Sequence, residues 1–342
     1  LAAMWAHEVV AMKSIAESGA RVCFGNRIPL LSAGRSPIRL RTGVWQRFDF
    51  SVGMREGRLP DRDKRSSTPG ASGRSWEDDV ARDLPFSIQL HSARLFPPVT
   101  DHLPRLAALG YTNVEPTETL YDDPSALRET LDESDLTALS GHFSLHMLET
   151  DPDAACRIAE TLGMRLLVCP FAPVEARPVV TDEWRRFGDR LAAIARLLRS
   201  RGFGLAWHNH DYEFRTLRDG SMPIQHIAAD PAVHLQVDVA WVALAGIDPQ
   251  PWLEGYAGRI AAIHVKDIAP RGGRAGEDGW ADIGAGIVPW PKLWKTAITA
   301  GASLLVAEHD NPSDFDRFAR RSSDAMRAFA AMTKPEPSSP AR

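Results

Sequence analysis

The amino-acid sequence predicts an α/β protein folded as a (β/α)₈ barrel, also called a TIM barrel. From Phe86 onward, short apolar runs typical of buried strands alternate with amphipathic segments of helical period. The alternation repeats eight times before position 332, which agrees with the roughly 250 residues typical of such a barrel. A doubly wound open sheet is the second choice, although no Gly-x-Gly-x-x-Gly turn follows the first strand.

The predicted strands are short and mostly apolar, as expected for parallel strands that are buried on both faces. Because a helical segment follows each of them, the strands should run parallel to one another. They span 87–91, 112–115, 136–142, 166–170, 203–208, 234–238, 260–264 and 304–308.

The predicted helices lie after these strands. Several begin at Asp, Thr or Pro and several end near Gly, which are the residues preferred at helix starts and ends. They span 101–109, 125–134, 152–162, 182–201, 223–229, 249–256, 289–300 and 315–332.

Two terminal segments do not share this alternation and flank the predicted barrel at 86–332. Residues 1–85 are rich in Arg, Gly, Ser and Pro and keep neither period. We expect a poorly ordered extension there, with a regulatory or oligomerising arm as the alternative. The tail at 333–342 contains three prolines and is expected to be disordered.

The overall composition is that of a soluble globular protein, with 44% hydrophobic residues, 25% charged residues and a formal net charge of −4. This charge gives no general attraction to nucleic acid or to an anionic membrane. No apolar run approaches the roughly 20 residues needed to span a bilayer. Three scattered cysteines and an N-terminus without a secretory pattern predict a cytoplasmic location. A homo-oligomer is left open.

Ionisable residues end seven of the eight predicted strands, although strands of this fold should be mostly apolar. In such barrels the chemistry takes place at the carboxyl ends of the strands. Any one of these residues could simply be hydrogen-bonded locally, but so many at one rim indicate a site. They are His91, Glu115, His142, His208, Asp238, His264 and Glu308.

Four of these residues end consecutive strands and offer two imidazoles and two carboxylates. Such a set suits Mn²⁺, Zn²⁺, Co²⁺ or Fe²⁺ better than Mg²⁺ or Ca²⁺, which favour oxygen ligands alone. His210 is an open alternative to His208, because alternate residues of a strand share a face. The proposed metal ligands are His208, Asp238, His264 and Glu308.

Six short motifs, taken in order, resemble the sugar phosphate isomerase/epimerase family. That family belongs to the xylose isomerase-like TIM barrel superfamily, which also includes inosose dehydratase and the tagatose/psicose 3-epimerases. The resemblance extends from 86 to about 329. The motifs are GYTNVE at 110–115, HNHDYEF at 208–214, DVAW at 238–241, HVKD at 264–267, GAG at 284–286 and EHD at 308–310.

The resemblance implies one divalent metal ion, often Mn²⁺, at the ends of strands five to eight. Asp238, His264 and Glu308 match the second, third and fourth ligand positions of the family. The first position is commonly Glu in the epimerases, which are thought to use two glutamates as paired acid/base groups, and here it is His208. Proton transfer would then fall to Glu308 on one side of the substrate.

The opposite side of the substrate would be served by His210 or Glu213, and Lys266 is a further catalytic candidate. The expected reaction is proton abstraction next to a carbonyl of a carbohydrate, through an enediolate. Isomerisation, epimerisation and loss of water all remain open, with or without a phosphate on the substrate. Expected substrate contacts are Glu115, His142, Trp241, Asp267 and His91.

Two rival functions are weaker. An apurinic endonuclease on the same barrel would need many more metal ligands and a basic surface facing DNA, and the barrel segment supplies neither. A non-catalytic sugar-binding barrel would keep an aromatic wall, such as that expected at Trp241, but would lose the metal ligands.

Overall fold

The structure is a computed structural model that describes residues 85–333. The predicted N-terminal extension, up to 84, and the C-terminal tail from 334 lie outside the described residues. Within 85–333, eight parallel strands form a nearly closed barrel, which confirms the predicted fold class. In this same part of the chain, no helix combines the length and apolar character needed to cross a membrane.

Ten strands are present in the described part of the chain. Eight form the barrel in the order β2-β1-β10-β7-β6-β5-β4-β3, and β8 pairs with β9 in a separate antiparallel hairpin. The strands are β1 Phe86–Gln89, β2 Asn113–Glu115, β3 Ser140–His142, β4 Leu166–Cys169, β5 Gly204–His208, β6 Val233–Asp238, β7 Ile260–Val265, β8 Asp267–Ile268, β9 Trp280–Ala281 and β10 Leu304–Ala307.

The barrel closes between β2 and β3, where only isolated bridges join the two strands. The Val114 amide donates to the Thr137 carbonyl at 2.9 Å, and the Thr137 amide donates to the Thr112 carbonyl at 3.1 Å. The predicted strand 136–142 is therefore regular only over its last three residues, although its first part still contacts β2.

The predicted helices are present, with small shifts at their ends. Two further helices, α3 and α7, begin directly after β3 and β6. The helices are α1 Leu103–Ala108, α2 Pro124–Glu133, α3 Leu145–Thr150, α4 Pro152–Leu162, α5 Thr181–Ser200, α6 Pro223–Ile227, α7 Val239–Leu244, α8 Pro249–Gly255, α9 Trp290–Thr299 and α10 Phe315–Thr333.

Strand alternation divides the core into two parts. A small cluster of buried residues from β4, β5, β7 and β10 fills the inside of the barrel, and it includes Ala206, Ala262 and Val306. The other face of each strand joins the larger core shared with the helices. His208 follows Ala206 by two positions and His264 follows Ala262 by two, so both rings belong to the inner face.

The first strand was predicted to end at position 91, two residues beyond its observed end. β1 ends at Gln89, and residues Leu90–Ala93 form a short 3₁₀ helix. The Gln89 side chain accepts a hydrogen bond from the His91 amide at 3.0 Å and thereby caps this turn. The prediction that His91 ends a strand is therefore wrong.

The long connection after β7 is tied to the last helix by buried charges. Arg317 of α10 donates to Asp282 Oδ2 at 3.0 Å and to Glu277 Oε1 at 2.5 Å, and Arg321 also reaches Asp282 at 3.0 Å. Asp282 is fully buried and Glu277 nearly so. Buried carboxylates require such partners, so this connection has a fixed position on the barrel.

Helix packing gives a first test of the fold. Gly188 lies inside α5, and a Cβ there would meet the backbone carbonyl oxygen of His226 on α6 at 2.1 Å. Gly188→Ala should therefore lower the free energy of unfolding by about 1–3 kcal/mol in urea denaturation, despite the better helix propensity of Ala. Gly276→Ala, which has open space at Cβ, is the control. Equal or higher stability of the Gly188 variant would contradict this packing.

A buried histidine gives a test of pH dependence. Burial, together with Arg259 and Arg199, lowers the pKa of His234 on β6 to about 4. Its neutral form is favoured in the folded barrel, so its stabilising contribution is complete above pH 6.5. That contribution, about 3 kcal/mol at most, is lost as the pH falls toward 4. Urea unfolding at several pH values should show a shallower pH dependence in His234→Gln; an unchanged slope would contradict the assignment.

Candidate metal and substrate site

The four predicted metal ligands lie together at the carboxyl end of the barrel. One ligand atom from each residue is within 4.8 Å of the others, and all four side chains are buried. His208 ends β5 and Asp238 ends β6, whereas His264 belongs to β7 and Glu308 follows β10. The inner-face positions of neighbouring strands thus bring the four residues to one place.

One carboxylate oxygen of this cluster, Asp238 Oδ2, lacks a hydrogen-bond donor among the described residues. Asp238 Oδ1 accepts the Trp241 amide at 3.0 Å and caps α7, whereas Oδ2 is buried without a hydrogen bond from any residue in 85–333. The Lys266 ammonium is 3.4 Å away from this oxygen. Burying a carboxylate oxygen without a donor is costly. Together with the two imidazoles and Glu308, it fits a divalent transition-metal ion.

A second group of three imidazoles overlaps the first. His142, His208 and His264 also place one nitrogen each within 4.8 Å of the others. The His142 and His264 rings stack with centroids 5.5 Å apart and planes 7° apart. His142, predicted as a substrate contact, thus lies directly beside the proposed metal ligands.

Glu115 is enclosed by hydrogen-bond donors below this cluster. Its pKa is governed by burial, which raises it, but nearby His142 and His264 hold it well below its usual value. The carboxylate is fully buried, so it supports the site from within the barrel and its expected contact with substrate remains a prediction. Its donors are Gln89 Nε2, Gln236 Nε2 and His264 Nε2, each at 2.7 Å, His142 Nε2 at 3.0 Å, and Ser140 Oγ.

His264 links Glu115 to Glu308. Its Nε2 faces Glu115, and its Nδ1 lies 2.8 Å from Glu308 Oε2. Burial lowers the pKa of this imidazole, but the two carboxylates more than offset it and raise the pKa to about 10. A metal ion would therefore have to displace a proton from this ring.

Lys266 supplies the positive charge among the carboxylates of the site. Its ammonium lies 2.5 Å from Asp310 Oδ1 and 3.2 Å from Glu308 Oε2, in addition to the contact with Asp238. Burial lowers the pKa of Lys266, but these carboxylates raise it above its usual value. The ammonium also lies 4.3 Å from the ring centre of Trp280, a favourable cation–π position.

Trp241 and Trp280 form an aromatic wall beside Lys266. Their ring centroids are 4.8 Å apart, at an interplanar angle of 73°. Trp241 was predicted to line the pocket, whereas Trp280 was missed because the β8–β9 hairpin was not predicted. The short length of both strands, two residues each, explains why the pattern was missed.

His210 and Glu213, the two candidates for a second proton-transfer group, have different surroundings. The half-buried His210 ring is centred 5.0 Å from His208 and 5.4 Å from Trp241, and its Nδ1 has no hydrogen-bond partner among residues 85–333. Burial lowers its pKa to about 3. Glu213 is fully buried, and its oxygens accept the Trp207 indole N–H at 3.0 Å and the His210 amide at 2.9 Å. The structure therefore brings His210 to the cluster.

Asp267 organises the loop that follows the hairpin. Its Oδ1 accepts from the amides of Ile268 and Val288, at 2.9 and 3.0 Å. Its Oδ2 accepts from Gly284 and Gly286, at 2.9 and 3.1 Å. This explains the GAG motif, because a Cβ at Gly286 would lie 2.1 Å from Asp267 Oδ1. The expected substrate contact of Asp267 remains a prediction, and these four amides occupy both oxygens.

His91 lies beside Arg94 in the 3₁₀ turn after β1, and the Arg94 guanidinium donates to the His91 carbonyl at 3.1 Å. Burial, followed by Arg94, lowers the pKa of His91 to about 3. His91 is half-buried and belongs to neither group of candidate metal ligands. Its role as a substrate contact remains a prediction.

The fold and the cluster define a class of protein: TIM barrels with imidazole and carboxylate side chains gathered at the carboxyl ends of their strands. The chain belongs to the xylose isomerase-like TIM barrel family, whose model matches residues 103–332.

Two curated relatives extend this comparison. The chain is 25% identical over 202 residues to the rhizopine catabolism protein MocC of Rhizobium meliloti, covering 53% of this chain and 61% of that protein. It is 25% identical over 187 residues to an inosose dehydratase of Geobacillus kaustophilus, covering 48% of this chain and 61% of that enzyme. The chain thus spans about three fifths of the length of these relatives.

Solved structures of low sequence identity share the fold. A sugar phosphate isomerase/epimerase from Parabacteroides distasonis has a TM-score of 0.60 at 20% identity, covering 73% of this chain and 96% of that one. The IOLI protein, crystallised with a bound zinc atom, has a TM-score of 0.56 at 14% identity, covering 72% and 97%.

The cluster makes a direct prediction about metal binding. Protein reconstituted with a divalent transition metal should hold about one ion per chain by elemental analysis, and affinity should rise with pH as the ligands lose protons. Asp238→Ala and His264→Ala should lose the ion, whereas Asp211→Ala, which removes a more exposed carboxylate paired with Arg215, should keep it. Retention of the ion in both ligand variants would refute the site.

Proposed function

We propose that this protein is a divalent-metal-dependent sugar isomerase or epimerase that removes a proton next to the carbonyl of a sugar, keto-sugar or sugar phosphate. The observation that carries the proposal is the buried cluster of His208, Asp238, His264 and Glu308, in which Asp238 Oδ2 accepts no hydrogen bond from any residue in 85–333. Mn²⁺ is the first choice of ion, and Zn²⁺, Co²⁺ and Fe²⁺ also suit these ligands.

When bound at these four residues, the ion would supply Lewis acidity toward the carbonyl and hydroxyl oxygens of the substrate. Glu308 is the proposed base on one side. Burial raises its pKa, but Lys266 and His264 lower it well below the usual value, so the carboxylate is ionised. Both neighbours contact Oε2, which holds the carboxylate in place.

His210 is the proposed proton-transfer group on the other side of the substrate. Its ring adjoins His208 and Trp241, and its Nδ1 is free of hydrogen bonds within the described residues. Glu213 supports this role indirectly, because it accepts the His210 amide and so fixes the backbone that carries the ring. The indole rings of Trp241 and Trp280 would bind one face of the carbohydrate and exclude water.

An inosose dehydratase-like lyase is the second candidate. The curated relatives include proteins named inosose dehydratase, one of them 28% identical over 87 residues. The same first step applies: Glu308 takes the proton next to the carbonyl of a cyclic polyol. The neighbouring C–O bond then breaks, and the hydroxyl leaves as water with a proton from His210 or Lys266. The presence of His208 where epimerases commonly carry a glutamate favours this reaction, because Glu308 is then the only glutamate among the four proposed ligands and a symmetric pair of glutamates is absent.

A deuterium-exchange assay tests both candidates. Metal-loaded protein would be incubated in D₂O with a panel of ketohexoses, their phosphates and an inosose, and products followed by NMR. We expect deuterium at the carbon next to the carbonyl of one substrate, with either an epimeric or isomeric sugar or a dehydrated ketone as product. If no substrate takes up deuterium although the metal is bound, both candidates would be refuted, and a non-catalytic sugar-binding barrel would be the remaining function.

The residue roles have their own test in the same assay. His210→Gln should keep the metal ion yet lose about 10²–10⁴-fold in turnover, as expected for a general acid or base. His146→Gln, which changes an exposed histidine on α3, should leave turnover unchanged. Full turnover in the His210 variant would move the role to another group, with Glu213 as the next to be tested.

A further inference from the structure

We infer that Gln236 is a positioning residue that sets the ring tautomer of His208 and thereby presents Nε2 of that ring to the metal ion. The inference rests on the proposed metal site. Gln236 lies on β6 two positions before Asp238, so both side chains belong to the inner face of the strand. Its side chain is fully buried, and it was not among the residues predicted for the site.

The orientation of the Gln236 amide follows from Glu115. Gln236 Nε2 lies 2.7 Å from Glu115 Oε2. The same carboxylate receives Gln89 Nε2 at 2.7 Å and the Ser140 hydroxyl, so it acts as an acceptor throughout. The amide nitrogen must therefore face Glu115, because an amide oxygen at that position would oppose a carboxylate oxygen.

The amide oxygen then faces two imidazoles. Gln236 Oε1 lies 3.1 Å from His208 Nδ1 and 3.0 Å from His142 Nε2. An amide oxygen can only accept hydrogen bonds, so each of these ring nitrogens must carry the hydrogen. A neutral imidazole with its hydrogen on Nδ1 keeps its lone pair on Nε2, which makes Nε2 the ligand atom of His208.

The ring orientation of His264, the second imidazole ligand, is held by the same carboxylate of Glu115. Glu115 Oε1 accepts from His264 Nε2 at 2.7 Å, so the proton that the ring gives up to a metal ion would come from Nδ1, the nitrogen that faces Glu308. A carboxylate or amide that holds the outer nitrogen of a metal-binding histidine is a common arrangement. Glu115 thus acts directly on His264 and, through Gln236, on His208.

His210 has no equivalent support. Its Nδ1 is buried without a hydrogen-bond partner in the described part of the chain, so no neighbour sets its tautomer through that atom. The Gln236 contact therefore distinguishes the two histidines of the HNH motif and favours His208 as the ligand.

The tautomer can be measured directly in the metal-free wild-type protein. Two-bond ¹H–¹⁵N correlation spectra distinguish the two neutral forms of a histidine ring, and comparison with His208→Asn assigns the signals. We expect the hydrogen of His208 on Nδ1. A ring with its hydrogen on Nε2 would overturn the inference, and this experiment does not depend on the folding of any Gln236 variant.

A metal titration tests the consequence. Gln236→Met keeps the approximate volume but removes both hydrogen-bonding groups, and it should weaken Mn²⁺ binding by about 10- to 100-fold in calorimetry. Gln89→Met is the matched control, because Gln89 is also buried and also donates to Glu115. Its described hydrogen bonds reach neither His208 nor His264. The Mn²⁺ affinity of this variant should therefore stay close to that of the wild type.

The two proposals fail in different ways. Equal Mn²⁺ affinity in the wild type and Gln236→Met, or equal losses in both methionine variants, would overturn the role of Gln236 while the metal site stands. A wild-type protein that binds no Mn²⁺ or other divalent ion would overturn the proposed function, and the tautomer of His208 would still show whether Gln236 sets it.

Discussion

The Lys266 ammonium, buried among three carboxylates, is the interaction on which the site depends. Asp238, Glu308 and Asp310 all lie within 3.4 Å of it. Carboxylates removed from water are costly unless a positive charge or hydrogen bonds compensate them. Lys266 offsets this cost from its position between β7 and β8, and the rings of Trp241 and Trp280 cover its ammonium from one side.

The alternation of strand faces converts that local charge balance into a site. Small residues such as Ala206 and Ala262 fill the inside of the barrel. The next inner-face positions, His208 and His264, lie at the carboxyl ends of β5 and β7. Glu115 lies below them and accepts a hydrogen bond from His264, so this imidazole is held from within the barrel. The rigid strands, and not the loops, therefore determine the spacing of the proposed ligands.

The sequence predicted the barrel and its strand ends well, because buried strands and amphipathic helices have strong periodic patterns. It failed at His91, where the Gln89 side chain caps a turn and ends the strand early, a local hydrogen bond that periodicity does not reveal. It missed Gln236, because glutamine usually lies at the surface and the partners that satisfy its buried amide, Glu115, His208 and His142, lie far away in the sequence. The signal that could have found it is its position in the buried strand β6, two residues before Asp238 and therefore on the same face.

The presence of His208 also changes the formal charge of the ligand set. A set with glutamate at this position would carry three negative charges, whereas Asp238 and Glu308 carry two, which are cancelled by a divalent ion. Counting only these ligands and the ion, the filled centre would be neutral; Glu115 and the Lys266–Asp310 pair lie outside this count. Ligands that carry less negative charge donate less electron density to the ion, so the ion would remain more electrophilic and would attract the anionic enediolate of the proposed reaction more strongly.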